Sequence, residues 1–243
     1  MPSFTDKLQV GGHEMEMYAS IPSGSGPHPA VVIAFHVGGV DDFDKAIADR
    51  LAAEGYAAVV PDLFHRLSAE VMAGPRLERL AHLSDPDIIA DVNAAMAFLQ
   101  SNSAIDSERI GITGFCMGGR VAWLMAAVNP DFKAVVPYYG GNIMSPWGAA
   151  TQSPFDLSSG INCPMMFHFG ATDGNPSPED QAKLDSELTR LGKSHQFYSY
   201  PGAGHAFMDF TNNDRHHKEA ADSSWPRTLE FFATHLKGAA VSR

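Results

Sequence analysis

Apolar and polar positions follow two different patterns along the chain. From residue 30 onward, short continuous apolar runs are separated by longer segments in which apolar residues recur every three or four positions. A continuous apolar run is typical of a strand buried on both faces, and the longer repeat is typical of an amphipathic helix. The runs predict strands over residues 30–35, 56–61, 110–113, 134–139 and 164–169, and a further strand is predicted over residues 195–200. The repeats predict helices over residues 43–54, 87–101, 117–128, 178–191 and 224–236.

Three segments lie outside this alternation. Residues 8–21 predict a hairpin of two short strands around Gly11 and Gly12. Residues 62–86 show no clear period and predict a long excursion over the sheet, and residues 139–162 form a connection rich in Gly, Pro and Ser. Because strands alternate with helices, we expect an α/β fold with a mostly parallel, doubly wound sheet flanked by helices. No linker-like segment divides the chain, so we expect one domain over residues 1–243.

Composition and charge narrow the possible partners. The 243 residues carry a formal net charge of -11, and an acidic surface repels phosphate backbones, so we expect no nucleic acid partner. No apolar run approaches the roughly 18 residues that span a membrane, and the first residues lack a signal-peptide pattern. The two cysteines, Cys116 and Cys163, do not make a disulfide framework. We therefore expect a cytoplasmic protein that acts on a small molecule, as a monomer or a small homo-oligomer.

The sequence GFCMGG, centred on Cys116, joins a predicted strand to a predicted helix. A strand, a G-x-nucleophile-x-G turn and a helix together form a nucleophile elbow, which exposes one reactive side chain above an α/β sheet. Cys116 stands where a serine is more usual, and a thiol ionises more readily than a hydroxyl. A lone cysteine before a helix is more often a buried apolar residue, so the assignment depends on partners elsewhere in the chain. Cys163 has no such turn before it, and we interpret it as structural.

Two partners follow later predicted strands. Asp173 ends the sequence GATD after residues 164–169, and His205 lies in YPGAGHAF after residues 195–200. Ligands of open α/β sheets bind outside the carboxyl ends of the strands, and the order nucleophile, acid, histidine is that of α/β-hydrolases. The prediction is a triad in which His205 moves the proton and Asp173 orients the imidazole. The N–H groups of Met117 and Val37 are predicted to form the oxyanion hole.

These motifs resemble the dienelactone hydrolase family of α/β-hydrolases. The resemblance rests on the segments around Cys116, Asp173 and His205, together with the sequence PDLF at residues 61–64, and it covers nearly the whole chain. It implies a single α/β-hydrolase domain with no cofactor and no metal. It also implies hydrolysis of carboxylic esters or lactones, the family's named activity being carboxymethylenebutenolidase, the hydrolysis of dienelactone.

Two positions depart from the family pattern. The loop after the first buried strand carries His36 where the family has a glutamate that controls ionisation of the cysteine. His36 is either a second base or donor near the thiol, or a loop residue that supports the oxyanion turn. Asp209 stands where members acting on dienelactone place an arginine for the substrate carboxylate. An acid there would repel an anionic lactone, so a neutral ester or lactone is equally compatible with the sequence.

Other residues complete the expected site. Tyr139 and Phe207 lie at the carboxyl end of a strand and beside His205, and we expect both to line the substrate pocket with His36 and Asp209. The excursion offers three candidates for a replacement positive charge, and the sequence does not fix the direction of any of them: Arg66, Arg76 and Arg79. Two rival functions stay open, which are attack on another activated ester such as a phosphotriester and a non-catalytic binding module on a hydrolase fold.

Overall fold

The computed structural model describes residues 2–238 and contains one eight-stranded sheet flanked by helices. The strands are β1 (Ser3–Val10), β2 (His13–Ser20), β3 (His28–Ala34), β4 (Ala57–Pro61), β5 (Ile105–Phe115), β6 (Ala134–Tyr138), β7 (Met165–Gly170) and β8 (His195–Tyr200). The helices are α1 (Asp42–Ala53), α2 (Ala69–Ala73), α3 (Asp85–Ser101), α4 (Met117–Val128), α5 (Pro178–Arg190) and α6 (Lys218–Leu236). No helix among the described residues is long and apolar enough to cross a membrane.

The order of the strands in the sheet is β1-β2-β4-β3-β5-β6-β7-β8. The strands from β4 to β8 pair in parallel, whereas β1 and β2 form an antiparallel hairpin whose second strand pairs antiparallel with β4. The predicted fold class and the N-terminal hairpin are therefore confirmed. Since β5 lies among the parallel strands, the loops that follow its neighbours flank its carboxyl end, where ligands of open α/β sheets bind.

The central strands are buried on both faces, which explains their continuous apolar sequences. Every residue of β4, β6 and β7 is buried, and so is every residue of β3 except the first. The edge strand β1 instead exposes most of its side chains, and polar residues stand between its apolar ones. A sheet with helices on both faces has no solvent-facing side in its centre, so its core strands lose the period of two.

Several elements differ from the sequence prediction. Strand β1 begins at Ser3 and β5 spans Ile105–Phe115, so both begin five residues before their predicted starts at residues 8 and 110. Helix α6 begins at Lys218, six residues before the predicted start, and it continues through Pro226. Its buried residues include Ala220, Ala221 and Trp225, so packing on the sheet outweighs the low helix propensity of proline. The excursion over residues 62–86 contains the short helix α2 and a 3₁₀ helix at Arg76–His82, neither of which the sequence pattern predicted.

Candidate active site

Cys116 occupies a strained turn between β5 and α4. Its backbone has φ 56° and ψ -116°, which is a left-handed conformation that a residue with a side chain rarely adopts. The N–H of Cys116 donates to the carbonyl of Tyr138 at 3.1 Å, and this bond holds the turn against the neighbouring strand. The side chain is partly exposed, unlike that of Cys163, which is buried. This is the geometry of a nucleophile elbow.

Glycines allow the two arms of this elbow to approach each other. A Cβ placed on Gly114 would overlap the backbone of Gly118, and a Cβ on Gly118 would overlap the carbonyl of Ala34 at the end of β3. Helix α4 therefore begins in direct backbone contact with two strands. The first N–H groups of a helix have no partners within the helix, so the amide of Met117 is available to a ligand beside Cys116.

His205 and Asp173 meet on the adjacent loops after β8 and β7. The Nδ1–H of His205 donates to Oδ2 of Asp173 at 2.9 Å, and the Asp173 side chain is almost wholly buried. The N–H and the hydroxyl of Thr172 both donate to the carbonyl of Ala203, at 2.9 Å each, and so tie the two loops together. The bond through Nδ1 leaves Nε2 of His205 as the ring nitrogen free for proton transfer.

The imidazole of His205 favours its charged form. Burial by itself lowers the pKa of this group, but the hydrogen bond to Asp173 and the neighbouring Cys116 together raise the pKa of His205 to about 10. Tyr139 lies 5.2 Å from the His205 ring, measured between ring centroids. Burial and then the nearby Cys116 raise the pKa of the Tyr139 hydroxyl well above its ordinary value. The tyrosine hydroxyl is therefore neutral at physiological pH.

A cavity of about 530 Å³ opens above the elbow and contains most of the residues expected at the site. Its wall includes the three predicted triad residues and four further predicted residues: Cys116, Asp173, His205, His36, Val37, Tyr139 and Asp209. Apolar side chains of Phe43, Leu77 and Ala206 also line the cavity. The tertiary structure thus brings together loops after β3, β5, β6, β7 and β8.

Phe207 does not line this cavity, contrary to the expectation from sequence. Its ring is fully buried and packs edge-on against Tyr139 at 5.1 Å. The preceding residue, Ala206, has φ 63° and lines the cavity in its place. The turn at Ala206 sends the next side chain into the core, and sequence alone gives no sign of a positive φ at an alanine.

The arginines of the excursion have three different environments. Arg76 lines the cavity, while Arg66 donates to both carboxylate oxygens of the buried Asp91 at 2.7 and 2.6 Å. Arg79 is 7% exposed and donates to backbone carbonyls. Arg215, which sequence analysis did not single out, also lines the cavity from the loop before α6. Arg215 lies four residues beyond Thr211 in a segment without a periodic pattern. The sequence therefore gave no indication that its side chain would line the cavity.

His36 has both ring nitrogens engaged. The N–H of Gly38 donates to its Nδ1 at 3.3 Å, so the ring proton lies on Nε2, which donates to Oδ2 of Asp41 at 2.8 Å. Asp41 in turn caps α1 by accepting from the N–H of Phe43 at 3.0 Å. Of the two roles expected for His36, this geometry fits the support of the loop, because neither nitrogen is left to exchange a proton with the thiol.

Three potential metal-ligating atoms lie within 4.8 Å of one another, one each from His36, Asp41 and Asp44. Both oxygens of the buried Asp44 lack a hydrogen-bond partner, and burial followed by the neighbouring Asp41 raises the pKa of this carboxyl well above its ordinary value. A metal ion needs a lone pair on the nitrogen that faces it, whereas Nε2 of His36 carries the ring proton here. The cluster therefore fits a protonated carboxyl better than a metal centre.

Val37 belongs to a short turn that we term the oxyanion loop, residues 36–39. The N–H of Gly39 donates to the carbonyl of His36 at 3.1 Å and closes the turn. Within residues 2–238, no acceptor takes the N–H of Val37. Val37 and Cys116 both line the cavity, and the role of the Val37 amide as an oxyanion donor stays a prediction.

Comparisons with known proteins give a consistent match over most of the chain. The model of the family described as "Dienelactone hydrolase family" matches residues 15–236. A protein of Methylorubrum extorquens named "Putative carboxymethylenebutenolidase" is 31% identical over 232 residues, which are 93% of this chain and 79% of that protein. A Bradyrhizobium protein named "Probable 2-oxo-3-(5-oxofuran-2-ylidene)propanoate lactonase" is 30% identical over 96% of this chain and 95% of its own length.

A solved structure gives the same picture. The crystal structure named "Putative Dienelactone Hydrolase" from Klebsiella pneumoniae superposes with a TM-score of 0.86. It has 29% sequence identity and covers 96% of this chain and 99% of the other. The likeness therefore extends over nearly the whole length of both chains.

Proposed function

Because the chain belongs to the dienelactone hydrolase family, we propose that it hydrolyses carboxylic esters or lactones with Cys116, His205 and Asp173 as its catalytic triad. The observation that carries this proposal is the bond from His205 Nδ1 to Asp173 in a cavity that also holds the Cys116 thiol. A triad is recognised by such geometry rather than by sequence position.

The first half of the reaction acylates the cysteine. The Cys116 thiolate attacks the carbonyl carbon of the substrate, and the carbonyl oxygen becomes an oxyanion held by the N–H groups of Val37 and Met117. When the tetrahedral intermediate collapses, the bond to the leaving oxygen breaks. That oxygen takes the proton from Nε2 of the His205 imidazolium. The product is a thioester on Cys116 and an alcohol, which stays attached to the acyl group if the substrate is a lactone.

The second half regenerates the thiolate. The neutral imidazole of His205 takes a proton from water, and the resulting hydroxide attacks the thioester carbon. A second oxyanion forms in the same hole, and its collapse releases the carboxylic acid and the Cys116 thiolate. Asp173 keeps the proton on Nδ1 throughout and stabilises the imidazolium each time it forms.

Replacement of the nucleophile tests the proposal directly. We expect Cys116→Ala to lower turnover of p-nitrophenyl acetate by at least about 1000-fold, because the variant lacks the thiol that would form the acyl-enzyme. Cys163→Ala is the matched control, and it should keep wild-type turnover because Cys163 lies outside the cavity. A Cys116→Ala enzyme with wild-type turnover would show that the nucleophile assignment is wrong.

Direct detection of the intermediate gives a second test. Rapid acid quench of the wild-type enzyme with p-nitrophenyl acetate, followed by peptide mass spectrometry, should show one acetyl group on the peptide that contains Cys116. Acetylation confined to Cys163 or to a lysine would contradict the thioester mechanism. Paraoxon in the same turnover assay tests the rival reaction at phosphorus, which stays a prediction of the sequence alone.

A further inference from the structure

Arg79 is buried beside the oxyanion loop and is not part of the cavity wall. It lies in the 3₁₀ helix Arg76–His82 within the excursion, and only 7% of its surface is exposed. None of the ion pairs formed by lysine or arginine in the described part of the chain includes Arg79. A buried guanidinium without a carboxylate is costly, so its hydrogen bonds to other groups must compensate for the lost water.

Those hydrogen bonds go to two carbonyls of the oxyanion loop and to one of α2. Nη1 donates to the carbonyl of Val37 at 3.1 Å and to the carbonyl of Gly38 at 3.3 Å. Nη2 donates to the carbonyl of Met72 at 2.6 Å. We propose that Arg79 is a positioning residue that fixes the oxyanion loop, so that the N–H of Val37 points at the developing oxyanion. This inference rests on the proposed function.

The planarity of the peptide bond explains how this contact reaches the Val37 amide. The carbonyl of His36 and the N–H of Val37 belong to one plane, which the bond from Gly39 to that carbonyl orients. Arg79 holds the carbonyls of the next two planes, and these planes carry the N–H groups of Gly38 and Gly39. Its two bonds therefore fix the residues on which the closing bond of the turn depends.

The loop needs an external support because of its composition. Two consecutive glycines, Gly38 and Gly39, have the widest backbone freedom of any residues, and Gly39 adopts φ 90°. The ring of His36 steadies one side through the N–H of Gly38, but that bond is long at 3.3 Å. Arg79 supports the opposite, carbonyl side of the same peptides. An oxyanion donor acts only when it is already oriented, so loss of this support should reduce turnover.

The experiment compares two arginines of the same excursion. Arg79→Met removes the three hydrogen bonds, and Arg79→Lys keeps the charge but not the fork that reaches two loop carbonyls and Met72 at once. Arg66→Lys is the matched control, because a lysine can keep the ion pair of Arg66 with Asp91, and Arg66 does not touch the loop. The readouts are kcat and KM for p-nitrophenyl acetate and the rate at which iodoacetamide alkylates Cys116.

Alkylation separates the oxyanion hole from the nucleophile. Iodoacetamide consumes the thiolate without forming an oxyanion, so its rate depends on Cys116 and His205 but not on the Val37 amide. We expect Arg79→Met to lower kcat by about 100-fold, the usual loss for one oxyanion donor, with KM and the alkylation rate within about threefold of wild type. We expect Arg79→Lys to lower kcat by about 10-fold and Arg66→Lys to leave all three values unchanged.

Three outcomes would overturn the assignment of Arg79. They are wild-type kcat in Arg79→Met, a rise in KM alone, and a parallel loss of alkylation. If Arg79→Met does not fold, Arg79→Lys decides, and wild-type kcat in that variant would overturn the inference. Cys116→Ala separates a failure of the proposed function from a failure of the inference about Arg79. An active Cys116→Ala enzyme would refute the proposed function. An inactive Cys116→Ala enzyme together with wild-type kcat in Arg79→Met would refute only the role of Arg79.

Discussion

Backbone strain is concentrated at the residues that form the candidate site. Within residues 2–238, the non-glycine residues with positive φ are Cys116, Tyr139, Asn142 and Ala206, and all of these except Asn142 line the cavity. Each such conformation costs on the order of 1–3 kcal/mol and persists only where surrounding contacts enforce it. The orientation of these few residues therefore lowers the stability of the fold.

The raised pKa of His205 leads to a prediction about stability and pH. The pKa of about 10 in the folded protein exceeds the ordinary value of 6.5, because the bond to Asp173 and the nearby Cys116 outweigh the effect of burial. The charged ring therefore adds its full stabilisation below pH 6.5, and this contribution is lost as the pH rises through about 10. We expect Asp173→Asn to lower the free energy of unfolding most between pH 5.5 and 6.5. The size of this loss should decrease steadily as the pH rises toward 10.

Urea denaturation of wild type and Asp173→Asn over this pH range provides the measurement. Asp185→Asn is a suitable control, because it removes the carboxylate of another His–Asp pair, that of His195, in which Asp185 is half exposed. Surface pairs of this kind contribute little, so its effect should stay below about 1 kcal/mol at every pH. A loss in Asp173→Asn that stayed constant from pH 5.5 to 10 would contradict the assignment of the raised pKa.

At the level of elements, the elbow depends on the close approach of α4 to the sheet. A side chain at Gly118 would overlap the carbonyl of Ala34, a backbone atom that cannot move aside without shifting β3. We expect Gly118→Ala to lower the free energy of unfolding by about 3 kcal/mol, the upper range for overpacking of a core. Thermal and chemical denaturation would measure this loss.

Gly174 supplies the matched control for that substitution. A Cβ at Gly174 meets no atom within 4 Å, and its φ lies outside the left-handed region. Gly174→Ala should therefore change the free energy of unfolding by less than about 0.5 kcal/mol. Equal effects of the two substitutions would mean that the contact between α4 and β3 does not limit the stability of the elbow.

The sequence predicted the fully buried central strands well, and it also predicted the partly exposed edge strand β8. The apolar runs of β3, β4, β6 and β7 gave these strands to within two residues at each end, and β8 and α4 were predicted with their observed bounds. Helix α6 was predicted too short because Pro226 and the polar residues before it weaken the helical pattern. The excursion had no period to detect, since α2 and the 3₁₀ helix are short and mostly exposed.

At the level of the whole molecule, the cavity combines charges from distant segments. Asp209 lies in its wall together with Arg76 and Arg215, so the substrate meets both signs of charge. The N–H and the hydroxyl of Thr211 donate to Oδ1 of Asp209, which holds this carboxylate in place. The preference for an anionic or a neutral substrate therefore depends on the balance of three side chains and not on Asp209 alone.

This balance gives a prediction for substrate choice. We expect Asp209→Asn to lower KM for dienelactone, an anion, by about threefold, the size expected of a partly solvated charge interaction. KM for a neutral lactone of similar size should stay unchanged in the same enzyme, because it carries no charge for Asp209 to repel. Steady-state kinetics with the two substrates would measure the difference, and an equal change in both would show that Asp209 acts through structure and not through charge.

The sequence by itself determined the fold class, and it predicted the order of the proposed nucleophile, acid and histidine and the loops that carry them. Its information is local, since apolar runs reflect burial and turn motifs reflect backbone geometry. Only the tertiary structure decided that Phe207 packs into the core, that Arg215 lines the cavity, and that Arg79 donates hydrogen bonds to the oxyanion loop. These positions depend on the directions of side chains from segments far apart in the chain, and no local pattern specifies such directions.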